Sequence, residues 1–185
     1  MTQKILITGG AGFVGRRLVK SMLDKGYDVL AVDNIVPLTG GINPSDGWPL
    51  YNPYDYKNFN FLKQDCRDWF INNSDIKFDN VFHLAAMVGG REIIENDPLI
   101  VAEDLSIDSH FWQWCSKSNP RKVVTFSSSA CYPIELQSYE NNRLLKEEDI
   151  TFDKNIGMPD MTYGWAKLTC EYLGQLTFKK DGIKS

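Results

Sequence analysis

Tyr163 and Lys167 stand four residues apart in "YGWAK", a spacing that puts a phenol and an ammonium one turn apart on the same helix face. A phenol titrates near pH 10, so its use as a base at neutral pH needs a drop of roughly three units, on the order of 4 kcal/mol. A neighbouring ammonium and a second positive charge bound beside the ring could supply that between them. Tyr163 would then accept the proton of an alcohol as hydride leaves the carbon that bears it. By itself a Y-x-x-x-K pair describes a solvated helix face, so its weight comes from its surroundings. Some thirty residues earlier, "FSSSACYP" (residues 126–133) sets three hydroxyls, a thiol and a second phenol at the end of an apolar run. That stretch is either polar loop filler or the centre of an active site.

A second constellation lies at the start of the chain. "TGGAGFVG" spaces Gly9, Gly12 and Gly15 three residues apart, directly after an apolar run and at the mouth of a helical pattern. The first glycine allows a tight turn, the second lets backbone approach a pyrophosphate, and the third lets helix and strand pack closely. The helix N-terminus then offers unpaired N–H groups and a positive dipole end. Asp33 closes the next apolar run, where a carboxylate accepts hydrogen bonds from an adenosine ribose and repels a 2'-phosphate, which favours NAD over NADP. Asp65 in "QDCRD" is placed either to reach the adenine amino group or simply to begin a turn. The small residues of "HLAAMVGG" suit a flat cofactor against backbone, and His83 reads as a satisfied buried histidine.

The elements that would position these residues follow from hydrophobic periodicity. Strands are expected at Lys4–Thr8, Asp28–Asp33, Asn60–Gln64, Asn80–Ala85 and Lys122–Ser127. Helices are expected from Phe13 to Gly26, over Pro98–Ser118 and over Tyr163–Phe178. Residues 35–58, rich in Pro, Gly, Asn and Tyr, read as a long irregular connection. The alternation predicts an α/β fold, a Rossmann-type doubly wound parallel sheet with order 3-2-1-4-5. "KKDGIKS" reads as the turn into a further strand, so the sheet is expected to be truncated after strand five and its following helix.

A chain of 185 residues, 43% hydrophobic and 12% aromatic, can bury a core, and one domain over residues 1–185 is expected. A net charge of −4 with scattered Lys and Arg gives no footprint for nucleic acid or an anionic membrane. No run of about 18 apolar residues is present and the start lacks a signal-peptide pattern, so a cytoplasmic protein is expected. Cys66, Cys115, Cys131 and Cys170 are far apart with no C-x-x-C pair, which suggests free thiols and neither a metal site nor a disulfide framework.

The glycine motif, the strand-end acids, the serines after strand five and Y-x-x-x-K, in this order, resemble the NAD-dependent nucleotide-sugar epimerase/dehydratase family of extended short-chain dehydrogenase/reductases. The resemblance runs from Lys4 to about Gly182. It implies NAD as cofactor, held by Gly9, Gly12, Phe13, Val14, Gly15, Asp33, Asn34, Asp65, Cys66, Leu84, Ala85 and Ala86, with Tyr163 and Lys167 at the nicotinamide end. It makes Tyr163, Lys167, Ser129 and Cys131 the catalytic set, with Ser129 orienting a substrate hydroxyl beside Tyr163. It also implies a nucleotide-sugar substrate, a GDP- or UDP-hexose, and a homodimer. A C-terminal nucleotide-sugar-binding domain is absent from these residues, so the chain alone is expected to bind NAD better than it turns over sugars.

Within the family, Thr-Asp-Glu after strand five marks 4,6-dehydratases, and this chain has Ser129-Ala130-Cys131 instead. A cysteine two residues after the serine resembles GDP-mannose 3,5-epimerases and GDP-fucose synthases, in which a thiol deprotonates carbon beside a transient ketone. The other reading of Cys131 is a small residue packed under the cofactor, which would leave a UDP-sugar 4-epimerase. A non-catalytic NAD-binding module is the alternative outside enzymes. The stretch Ser-Ala-Cys-Tyr-Pro is one residue shorter than the family pattern Ser-Ala-Cys-Ile-Tyr-Pro, which leaves Ser128 as the alternative to Ser129. The asparagine expected after "NDP" is missing, with Asp104 and Leu105 in its neighbourhood.

Overall fold

The computed structural model describes residues 2–88, 90–138, 143–154 and 156–185. Five parallel strands, β1 (Lys4–Thr8), β2 (Asp28–Asp33), β3 (Phe59–Lys63), β4 (Asn80–His83) and β5 (Lys122–Thr125), form one sheet in the order β3-β2-β1-β4-β5. Among the described residues, six α-helices accompany them: α1 (Phe13–Asp24), α2 (Cys66–Asn72), α3 (Arg91–Asn96), α4 (Pro98–Val101), α5 (Glu103–Ser118) and α6 (Met161–Asp181).

Alternate strand residues point to opposite faces, and both faces are covered. Ile5, Ile7, Val29 and Ala31 pack with Val19, Met22 and Leu23 of α1 and with Trp48 from residues 35–58. Leu6, Val32, Val81 and Val123 pack on the other face with Trp69 and Phe70 of α2, Phe111 and Trp114 of α5 and Cys170 of α6. The long segment 35–58 is not idle: it takes three short 3-10 turns and replaces a helix on the first face. Tyr51 Oη donates to Arg16 O at 2.7 Å, and Trp48 Nε1 donates to Ile42 O at 2.8 Å. Arg16 Nη1 donates to Ala11 O at 2.6 Å, so a buried guanidinium holds the glycine turn from behind.

Several boundaries differ from expectation. β3 begins at Phe59 and ends at Lys63, and Gln64 N still donates to Asp33 O just beyond the ladder. β4 stops at His83, freeing Leu84 to Ala86 to turn into the crevice above the sheet. The segment Pro98–Ser118 is two helices that meet at Ala102, and α2 and α3 add two helices that hydrophobic periodicity does not predict. α2 is seven residues capped by Asp65, whose side chain accepts from Arg67 N, too short to show a helical period. Ser127 lies past the end of β5. Beyond α6, Val123 N donates to Lys184 O at 2.8 Å in a parallel bridge, and Ile183 is buried, so the residues after α6 pair with the outer edge of β5. Among the described residues no helix is long and apolar enough to cross a membrane.

Candidate active site

The carboxyl ends of β1, β2 and β4 open onto a crevice of about 330 Å³. Its floor is the turn between β1 and α1. Gly9 has φ +70°, and a Cβ there would stand 2.7 Å from Ala85 N, so the turn brings β1 against the strip after β4. At Gly15 a Cβ would stand 2.2 Å from Gly9 O, which fixes how closely α1 approaches the turn. At Gly12, the residue before α1, a Cβ would meet only Gly9 O at 3.3 Å and would otherwise fill open space. That open space, beside the unpaired N–H groups of the first turn of α1, could cradle a phosphate. Phe13 and Val14, 66% and 50% exposed, are large apolar residues at a helix start, and their place on the crevice wall explains that exposure.

Asp33 is buried at the end of β2, and its two oxygens accept from Ala11 N at 3.0 Å and from Ile35 N at 2.8 Å. The second bond holds Ile35 at φ +59°, unusual for a β-branched residue, and turns the chain sharply beside the crevice. Each carboxylate oxygen keeps a free lone pair for a ribose hydroxyl. Asp65 is the N-cap of α2 and is gripped by Arg67, with Nε to Oδ1 at 3.0 Å and Nη2 to Oδ2 at 2.7 Å. The Arg67 side chain holds its carboxyl below the usual range despite partial burial. Burial and the adjacent Asp65 push the Cys66 thiol up to about 12, so it is an apolar wall group. The crevice wall includes all twelve residues of the cofactor end: Gly9, Gly12, Phe13, Val14, Gly15, Asp33, Asn34, Asp65, Cys66, Leu84, Ala85 and Ala86. Met87 and Val88 from "HLAAMVGG" and Phe126 from "FSSSACYP" also line it, as do Thr39 and Ile107, to which no motif in the sequence points. The fit to a dinucleotide rests on the empty cradle at Gly12 and the acceptor at Asp33.

Tyr163, Lys167, Ser129 and Cys131 are not part of that wall but form a neighbouring group. Ser128 Oγ accepts from Ala130 N at 3.2 Å and caps the short 3-10 turn Ser129–Cys131. Ser129 is exposed, with no side-chain partner among the described residues. The start of α6 docks on this turn: Asp160 N donates to Ala130 O at 2.8 Å, and a Cβ on Gly164 would stand 2.3 Å from the same oxygen. Half-buried Tyr163 is thereby fixed beside the serine turn, and the Lys167 Nζ lies 5.8 Å from the centre of its ring.

Lys167 is 7% exposed, with Nζ 4.0 Å from Asp104 Oδ2. Burial works against its charge, but Asp108 and Asp104 outweigh burial and its pKa is raised. Cys131 is 1% exposed, its Sγ 3.3 Å from Ser127 Oγ, which also bonds to Glu171. Burial raises its pKa, and the thiol is buried at the far end of the turn that Ser129 begins. His83 is fully satisfied: Nδ1 is 2.6 Å from Thr8 Oγ1, Nε2 is 3.2 Å from Asp108 Oδ1, and the ring stacks on Phe111 at 3.9 Å. Burial lowers its pKa. Asp104 and Asp108 stand four residues apart on α5, a spacing that sets both carboxylates on one helix face and is the signal in the chain that marks them as a pair.

Residues 5–184 match the family model described as the NAD dependent epimerase/dehydratase family. The chain belongs to this family. Family membership agrees with the order of motifs and with the five-stranded, Rossmann-type sheet. Among family relatives, a UDP-glucose 4-epimerase of Cyamopsis tetragonoloba is 30% identical over 77% of this chain and 41% of its own length. A D-erythronate dehydrogenase of Haemophilus influenzae is 30% identical over 92% of this chain and 48% of its own. The solved UDP-N-acetylglucosamine 4-epimerase from Methanobrevibacter ruminantium, in complex with UDP-N-acetylmuramic acid, is 25% identical with a TM-score of 0.74. It is matched over 98% of this chain and 52% of its own. The chain thus spans about half the length of these family relatives, and less than half of the first.

Proposed function

We propose that these residues are the cofactor-binding and proton-handling part of an NAD-dependent epimerase that inverts carbon 4 of a UDP-hexose. The observation that carries this reading over thiol-based 3,5-epimerisation of a GDP-sugar is the pairing of an accessible Ser129 with a buried Cys131 on one turn. The UDP-sugar 4-epimerases among the relatives support the choice of nucleotide.

Gly9, Gly12 and the first turn of α1 would hold the pyrophosphate, and Asp33 the adenosine ribose, where its charge opposes a 2'-phosphate. Bound there, NAD supplies a hydride acceptor that can return the hydride to the opposite face of the sugar carbon. The chain's own work is on the proton. Ser129 Oγ holds the substrate hydroxyl, and Tyr163 Oη accepts its proton as the carbon is oxidised, then gives it back on reduction. Lys167 presents positive charge to the phenol from beside its ring.

In the full-length protein, Tyr163→Phe is expected to lower conversion of UDP-glucose to UDP-galactose by about 10²- to 10⁴-fold while leaving NAD binding within about threefold. Chromatography of the UDP-sugars and calorimetry with NAD read the two effects. Turnover indifferent to Tyr163→Phe, or no NAD binding, would sink the proposal. The dehydrogenase relative supports a second reading, net oxidation of a hydroxy acid. It is distinguished by NADH accumulating in step with product, which epimerisation does not produce.

A further inference from the structure

α5 turns two carboxylates, Asp104 and Asp108, into the core at 1% and 2% exposure, against the buried ammonium of Lys167. Asp104 Oδ1 accepts from Met87 N at 2.5 Å, and Met87 lies on the crevice wall. Asp104 Oδ2 faces Lys167 Nζ at 4.0 Å without a hydrogen bond, and among the described residues Asp108 Oδ2 likewise has no partner. One carboxylate therefore touches both halves of the site: the strip after β4 through Met87, and the Tyr163–Lys167 face through the ammonium.

We propose that Asp104 is a positioning residue for Lys167, anchoring the ammonium beside the Tyr163 ring, tying it to the cofactor strip at Met87 and setting the positive charge the phenol meets. This rests on Tyr163 and Lys167 being the proton-handling pair. A buried carboxylate with an unpaired oxygen is costly, and a core that needed only packing would place an apolar residue here. The charged groups that face it are Lys167 on α6 and Asp108 and Glu103 on α5; Lys167 in turn meets Asp108, Tyr163 and Cys170, Asp108 meets His83 on β4 and Cys170, and Glu103 pairs with Arg67 on α2 at 3.3 Å. Burial pushes Asp104 up to about 6, against the pull of Lys167 and Met87 N. Asp104 is also near the start of α5, where a carboxylate favours the helix dipole. A role confined to that dipole leaves Lys167 titrating as before, which separates the two.

The test is the pH titration of the Lys167 ε-carbon by NMR, with the signal assigned by its loss in Lys167→Met. In Asp104→Asn the midpoint is expected to fall by about one unit, a roughly tenfold rise in free amine at fixed pH. Asp104→Ser, which keeps an acceptor for Met87 N but no charge, serves if the amide does not fold. An unchanged midpoint in a folded variant overturns the proposal, and so does a wild-type midpoint at or below the ordinary lysine value. The readout needs neither sugar nor turnover. A shifted midpoint in a protein that converts no UDP-sugar keeps Asp104's role and removes the epimerase reading, whereas turnover with an unshifted midpoint does the reverse.

Discussion

The turn between β1 and α1 presents backbone to the crevice, whereas the contact between α5 and α6 presents buried side-chain charge. At the turn, Gly9, Gly12 and Gly15 leave amides and empty space, and the charged participant, Asp33, commits its oxygens to the Ala11 and Ile35 amides. At the helix contact, Asp104, Asp108 and Lys167 sit out of water with two carboxylate oxygens unpaired among the described residues. Under the proposed function the difference follows from the task. Phosphate and ribose call for fixed dipoles that do not titrate, while moving a proton calls for groups whose protonation free energies are poised by burial.

The largest effect separating the regions is expected at Gly15. An Ala Cβ there would lie 2.2 Å from Gly9 O and 2.8 Å from Gly10 Cα, both backbone, so the turn must move. Gly15→Ala should cost about 3 kcal/mol in urea denaturation and abolish measurable NAD binding, because overpacking against backbone has no cheap relief. Gly12→Ala is the contrast. Its Cβ meets one atom at 3.3 Å, so stability should stay within about 1 kcal/mol while the NAD cradle is filled and binding weakens. If both variants lose stability equally, the turn is a packing device and not a cradle.

The charged region should show itself through pH. Asp104 is raised in the fold from 3.8 to about 6 by burial, so the folded state holds its proton more tightly than the unfolded chain. Its contribution is fully present below pH 3.8 and is lost as pH rises through about 6. Relative to Asp104→Asn, wild-type stability should therefore fall by roughly 2 to 3 kcal/mol between pH 4 and pH 7. His83 runs the other way: burial lowers its folded pKa below 6.5, so its contribution is present above 6.5 and is lost as pH falls. The two partly cancel in the wild type, and Asp104→Asn should rise more steeply with pH. Urea midpoints at pH 4.5 and 7.5 measure this, and parallel profiles for the two proteins would show that Asp104 carries no linked proton.

The same contrast explains how far the chain can be read from its residues. The cofactor end is made of short-range features, a glycine spacing and acids at strand ends, and each has a local steric or electrostatic cause that survives as a pattern in the chain. The strand order follows from the alternation of strand and helix periods. Residues such as Asp104, Met87 and Thr39 are not legible in the same way, because their roles arise where distant segments meet. Only the fold brings Met87 N, Asp104 and Lys167 together across eighty residues. Asp65 shows both at once: as a residue type it suits a turn-starting acid or a cofactor contact, and in the fold it caps α2 on the crevice wall. The choice between Ser128 and Ser129 likewise needs the turn's hydrogen bonds, which occupy Ser128 and leave the Ser129 hydroxyl without a side-chain partner among the described residues.

Cys131, on the 3-10 turn against which α6 docks, should give the smallest effect. A thiol that removes a proton from carbon must reach the substrate and spend part of its time as thiolate. Cys131 is 1% exposed, bonded to Ser127, and burial raises its pKa, so both requirements are opposed by its surroundings. A serine there keeps a partner for Ser127 and removes little volume. Cys131→Ser should accordingly change turnover of a UDP-hexose by less than about twofold and stability by about 1 kcal/mol, the net scale of one altered hydrogen bond. A loss of about a hundredfold or more, the size expected for removing an acid or base, would return the thiol to the chemistry. It would then move the reacting carbon away from position 4, since only a proton bound to carbon, and not one on a hydroxyl, needs a second base beside Tyr163.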